Sequence, residues 1–185
     1  NPAIGGPSVK PYQPAGLWAD FSFGKITYSA DSGEKLYRRS LYTFWRRSLG
    51  PPNMFDEADR KLCSVRASRT NTPLHALTLL NDVTYIEASR VFAERVMQQH
   101  PQADRRLATA FRMATSRAPS KAEMELLDRA LQRALLYYRE NADDAIAYVG
   151  IGERPVAEGL DPAELAAYGN VLNIILNTDE ALTRE

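Results

Sequence analysis

From Thr72 to Thr178 apolar residues recur every three or four positions, the spacing of helices that bury one face, and start and stop signals bracket each run. Thr72 followed by Pro73 sets a hydroxyl N-cap before a first-turn proline and predicts a helix from Pro73 to about Leu80. Asn81-Asp82 either kinks that helix or caps a new one. Tyr85, Ala88, Phe92 and Val96 mark a second helix over 83–99, closed before Pro101. Leu107, Phe111 and Ala114 mark a third over about 102–116. Ser120-Lys121-Ala122-Glu123 is a capping box, in which serine hydroxyl and glutamate carboxylate each accept from the other residue's amide. The helix it opens turns Met124, Leu127, Leu131, Leu135 and Tyr138 inward and runs to about Glu140. Residues 142–149 add a short helix stopped by Gly150, and 151–160, with three helix breakers, form a loop. Asp161-Pro162-Ala163-Glu164 is another capped start, leading a last helix through Leu165, Tyr168, Leu172 and Ile175 to about Thr178.

Upstream the pattern changes. Residues 1–18 hold four prolines and three glycines, which forbids regular helix and favours an extended arm over 1–20 that packs Tyr12, Leu17 and Trp18 onto a core. The Gly5-Gly6 pair lacks the Gly-Lys-Ser/Thr and the following helix of a phosphate loop. In 21–28, FSFGKITY, apolar and polar residues alternate as in a short strand, and Asp31-Ser32-Gly33 signals a turn. A second strand over 36–46 would complete a small β-hairpin at about 21–46, with Arg39 on one face and Arg38 on the other. A helix stays open there, since both faces mix apolar and charged residues. The fold class expected is mainly α: a helical bundle from about residue 73 onward, preceded by a Pro/Gly-rich arm (1–20) and a basic, aromatic region (21–72). The whole is one domain or the C-terminal part of a larger one.

Composition supports a single sizeable core, since 44% of the 185 residues are hydrophobic. The net charge is zero, yet residues 35–71 carry nine basic against three acidic side chains, +6, and 118–185 carry six against thirteen, −7. Such asymmetry bears on association and steering. The lone cysteine, Cys63, excludes an internal disulfide framework. No apolar run reaches the length of a membrane span, and no signal peptide opens the chain. A start at Asn1, inside a Gly/Pro loop, suggests a piece of a longer precursor.

The densest chemistry lies between Lys35 and Asp82. Arg38, Arg39, Arg46, Arg47, Arg66 and Arg69 sit among Tyr42, Trp45 and other aromatics, so planar bidentate donors stand beside stacking faces. That combination suits an anionic ligand, a polysaccharide or an acidic protein surface. The competing reading, given more weight, is internal: arginines that staple helix ends or pair with the acidic C-terminal segment leave the same trace. An isoelectric point near 7 argues against nucleic acid as partner. Thr70, Asn71, Thr72, Pro73 and His75 read as a structural helix start. Cys63 between Leu62 and Val65 reads as a small buried hydrophobe, and neither histidine has a second ligand at metal-binding spacing. Asn170, Asn173 and Asn177 recur at helical spacing, which suits a contact with another segment better than a solvated face.

Four phrases, GGPSVKPYQPAGLW, YRRSLYTFWRR, VRASRTNTPLHALTLLND and LNTDEALTRE, resemble the planctomycete-specific domain of unknown function (1553) that ends large proteins with a cytochrome c-like module at the front. The resemblance covers essentially the whole chain. The family's Arg-Thr-Asn-Thr-Pro phrase falls on Arg69 to Pro73, and its Tyr-Arg-Arg-Ser phrase on Tyr37 to Ser40. His75, a weaker capping partner, stands where the family usually has glutamine, and Val83 where it has proline. The resemblance implies an exported or periplasmic protein whose upstream segments carry c-type haem, with no cofactor in this chain, which lacks the Cys-x-x-Cys-His motif. It implies no particular activity. Two readings therefore stand: a non-catalytic binding or interaction domain that docks to upstream segments and grips an anionic ligand; or part of a hydrolytic or redox-linked enzyme whose other catalytic groups lie upstream.

Overall fold

The computed structural model describes residues 1–44 and 72–182. They divide into two compact units, 1–78 and 79–185.

In the second unit the helices follow the caps. α2 spans Pro73–Asn81 and bridges the boundary between the units. Its first turn is closed by Thr72, whose Oγ1 accepts the His75 N–H at 3.2 Å and whose carbonyl accepts the Ala76 N–H at 3.0 Å. α3, Val83–Gln99, is capped by Asp82, which accepts the Thr84 N–H, so Asn81-Asp82 caps a new helix. α4, Ala103–Thr115, ends where Ser116 turns left-handed at φ 63°. α5, Lys121–Glu140, opens on the full capping box: Glu123 N–H to Ser120 Oγ at 3.3 Å, and Ser120 N–H to Glu123 Oε2 at 2.7 Å. α6 is Ala142–Val149. α7, Pro162–Leu176, is capped by Asp161, with Pro162 in its first turn. A last turn, α8, is Asp179–Leu182.

α7 is the axis of this unit, and α3, α5 and α6 pack on it. Leu165, Ala166, Ala167, Tyr168, Val171, Leu172 and Ile175 are all buried, and a helix buried nearly all round is what so apolar a sequence requires. Each fully buried Leu, Val or Ile contributes about 1.5 to 3 kcal/mol. At Gly169 the packing is close enough to exclude a side chain, since a Cβ there would lie 2.9 Å from the Tyr148 ring and 3.5 Å from Arg90 Cα. Leu127, Leu131 and Tyr138 of α5 face this core, with Met124 and Leu135 partly buried beside them.

The first unit is irregular, and the expected hairpin is absent. Phe21 and Ser22 end a short helix, α1 (Leu17–Ser22), and Phe23 and Gly24 then turn left-handed at φ 54° and 76°. Two successive residues in that region break an extended strand, so the alternation of 21–28 cannot be read out as one. Phe21 and Phe23 are exposed as a consequence. Where the second strand was expected, Gly33–Tyr37 and Ser40–Tyr42 are 3₁₀ turns. Gly33, in the predicted turn, has φ 61°. No described residue belongs to a strand; the extended pairing present is one parallel bridge between Val9 and Thr43. Through it the arm, rather than a hairpin partner, takes the backbone groups of 42–44: Val9 N–H donates to Tyr42 O at 2.8 Å, and Phe44 N–H to Val9 O at 2.7 Å. The helical class is thus as expected, and the hairpin is not formed.

Candidate functional site

Of the arginines singled out above, Arg38 and Arg39 lie among the described residues, and they differ. Arg38 is half-buried. Its Nη2 donates to Gly5 O at 2.6 Å and Ala3 O at 3.4 Å, and its guanidinium lies 4.2 Å from the centre of the Tyr42 ring. Tyr42 joins the clasp by accepting the Gly5 N–H on its hydroxyl at 2.6 Å. Together these side chains tie down the glycine-rich start of the arm, where Gly5 and Gly6 adopt φ 85° and 91°. The carbonyls of residues 3 and 5 are what Arg38 staples. Arg39 is exposed; its carbonyl accepts the Tyr42 N–H at 2.9 Å, and its guanidinium has no carboxylate partner among the described residues. Trp45, Arg46, Arg47, Arg66, Arg69, Thr70 and Asn71, together with Cys63, lie outside the described residues. Thr72, Pro73 and His75 form the start of α2, with His75 half-buried. Among the described residues no three His, Cys, Asp or Glu side chains are grouped closely enough to hold a metal ion.

Beside the arm the first unit builds an aromatic cluster that sequence reasoning did not single out as a site. Trp18, 3% exposed, stacks against Tyr28 at 5.2 Å between ring centres and against Phe44 at 5.8 Å. Lys10 Nζ lies 5.9 Å from the centre of the Tyr28 ring and 5.8 Å from that of Phe44. The Tyr28 hydroxyl donates to Pro11 O at 2.7 Å, and burial, with Asp31 adding to it, pushes its pKa up to about 12. Asp31 is held in turn by the Lys10 N–H at 2.8 Å and by the Lys35 ammonium at 3.8 Å. Two clefts, of about 350 and 250 Å³, open on this cluster and share Trp18, Ile26, Thr27 and Tyr28. The signal was in the sequence, as Trp18 and Tyr28 flanking glycine turns, but the partner Phe44 was assigned to a strand and Lys10 to a solvated arm.

The second unit buries an ionic network that was missed altogether. Arg90, fully buried on α3, donates through Nη1 to Glu94 and through Nη2 to the Arg154 carbonyl at 2.7 Å. Glu87 accepts the Arg154 N–H at 2.6 Å, and Glu94 accepts the Ala157 N–H at 3.3 Å. Three charged side chains at i, i+3 and i+7 thus receive the backbone of the loop 151–160, where Gly152 at φ 91° lies so close to Glu87 that a Cβ would meet its carboxyl carbon at 2.4 Å. Spacing alone reads such a triplet as a surface ion pair, although Ala93 and Met97 one and two turns on from Arg90 mark its face as buried. A similar clasp joins α4 to α7: Arg106 donates to the His100 and Pro101 carbonyls and to Glu164 at 2.7 Å. Asn173, one of the three recurring asparagines, is buried and donates to Leu80 O at 3.1 Å, while Asn170 is exposed.

With this geometry in view, comparison with known proteins is informative at one level. The family described as "Protein of unknown function (DUF1553)" matches residues 1–131, most of the chain. The chain belongs to this family. Its matched part takes in the whole first unit, α3, α4 and the first half of α5. No curated protein and no solved structure matches.

Proposed function

We propose that this DUF1553 chain is a non-catalytic binding domain of a larger exported protein, docking to upstream segments of the same polypeptide and holding an anionic ligand. The observation that carries the reading is how the charged groups are used. Glu87, Arg90, Glu94 and Arg106, the buried charged side chains of the second unit, are all engaged in fixing backbone or each other, which is scaffold chemistry. In the first unit Lys10 and Arg39 have no carboxylate partner among the described residues, and Lys10 stands over aromatic rings. Unspent cations beside flat apolar faces suit an acidic polysaccharide or an acidic protein surface. The c-type haem of the proposal belongs to the upstream segments. This chain's own residues do not fit covalent haem, for attachment needs two cysteines and a histidine and Cys63 is its only cysteine.

The test is direct. The full chain is titrated with heparin and polygalacturonate, and separately with the upstream part of its precursor. Arg39→Ala should weaken polyanion binding with an unchanged melting temperature, since exposed charges contribute about 0 to 1 kcal/mol to stability. Arg38→Ala should lower the melting temperature by releasing the arm. Binding to neither polyanion nor upstream segment would overturn the proposal.

A further inference from the structure

The two clefts on the aromatic cluster carry an inference that deepens, and rests on, the binding-domain reading: it names the ligand's chemistry. Gln13 lies in the wall of the larger cleft. Its Oε1 accepts the Trp18 indole N–H, so the amide is oriented, and its Nε2 is left buried with no hydrogen-bond partner. A buried amide donor without a partner is uncommon, and the Gln13 side chain that carries it lines the larger cleft. Across the shared residues Ile26 and Thr27, the smaller cleft has Lys10 at its edge, an ammonium over Tyr28 and Phe44 with no ion pair among the described residues. The Asp31 carboxylate, which accepts the Lys10 backbone N–H, is also held by Lys35. The site thus offers one donor, one cation and ring faces between them, within volumes suited to small ligands.

We propose that these clefts bind one or two uronate residues of an acidic polysaccharide, the ring against Tyr28 and Phe44, the carboxylate at Lys10 and a hydroxyl or ring oxygen at Gln13 Nε2. Trp18 reports on it directly, because Trp18 and Trp45 are the only tryptophans and a Trp45→Phe background leaves one fluorophore. In that background, trigalacturonate should change Trp18 fluorescence saturably, and its fully methyl-esterified form should bind at least about tenfold more weakly. Gln13→Glu keeps the acceptor for the Trp18 indole while removing the donor, and Lys10→Gln removes the charge. Each should weaken trigalacturonate binding by about tenfold or more. Lys10→Gln also abolishes the preference over the ester, and it decides the matter should Gln13→Glu fail to fold. Equal binding of acid and ester, unchanged affinity in Lys10→Gln, or no fluorescence response at saturating trigalacturonate would overturn the inference. Heparin binding that persists in both variants while trigalacturonate fails would sink the cleft assignment and leave the wider binding reading standing.

Discussion

A single side chain, Arg90, organises the second unit's loop, and the cost of removing it follows from what it leaves behind. Arg90→Ala strands the Glu94 carboxylate and the Arg154 carbonyl out of water, and breaking a buried pair from one side costs about 3 to 5 kcal/mol. Chemical denaturation should therefore show a large loss, and a change below about 1 kcal/mol would mean the network is solvated. The neighbouring glycines give an orthogonal check. At Gly169 a methyl group meets the Tyr148 ring, so Gly169→Ala should destabilise by about 1 to 3 kcal/mol despite alanine's better helix propensity. None of this was legible in the sequence. Arg90 and Glu94 at i, i+4 have the spacing of an exposed pair, and what buries them is a loop sixty residues on whose path no local pattern encodes. Arg38 was legible as important but not in its role, because its acceptors are carbonyls, and a carbonyl carries no sequence signature.

Elements whose cause is local were readable, and those whose cause is a distant partner were not. The starts of α2, α3, α5 and α7 each follow a side-chain cap, since Thr72, Asp82, Ser120 and Asp161 satisfy orphan amides within three residues, whereas α4 and α6 open without one. The hairpin failed because alternation expresses half-burial and needs a paired neighbour, whereas Phe23 and Gly24 turn away and Val9 supplies the bridge. The α5 start has a pH signature. Arg117 donates to Glu123, and this bond, with those to Ser120, holds the Glu123 pKa down at about 2, below an ordinary 4.5. A carboxylate depressed by folding stabilises above its unfolded pKa, and that stability fades as pH falls from about 4.5 to 2. The melting-temperature gap between the wild type and Arg117→Met should be constant above about pH 5 and close toward pH 2. A gap that widened on acidification would contradict the assignment. Ser120→Ala, which removes the reciprocal half of the box, should cost about 1 kcal/mol at neutral pH.

At the scale of the whole molecule, both units keep tyrosines away from water, and this makes alkali a probe of each. Burial raises Tyr28 in the first unit to about 12 and Tyr148 in the second to about 12, with Tyr85, Tyr138 and Tyr168 also raised chiefly by burial. Tyr137 is raised instead by its bond to Asp144. An unfolded tyrosine ionises near 10, so each raised phenol favours the fold below pH 10 and ceases to do so as pH rises through its folded pKa, about 12 for Tyr28 and Tyr148. For Tyr148, wedged between Ser89 and Gly169, the stake is on the order of 2 kcal/mol. In a spectrophotometric titration Tyr28 and Tyr148 should therefore ionise only near pH 12, together with loss of helical circular dichroism and with hysteresis on return. Tyr148→Phe keeps the ring and removes the ionisation, so its helices should survive to higher pH than the wild type's. Nine tyrosines ionising as one class near pH 10 with the helices intact would show that the interior described here admits water.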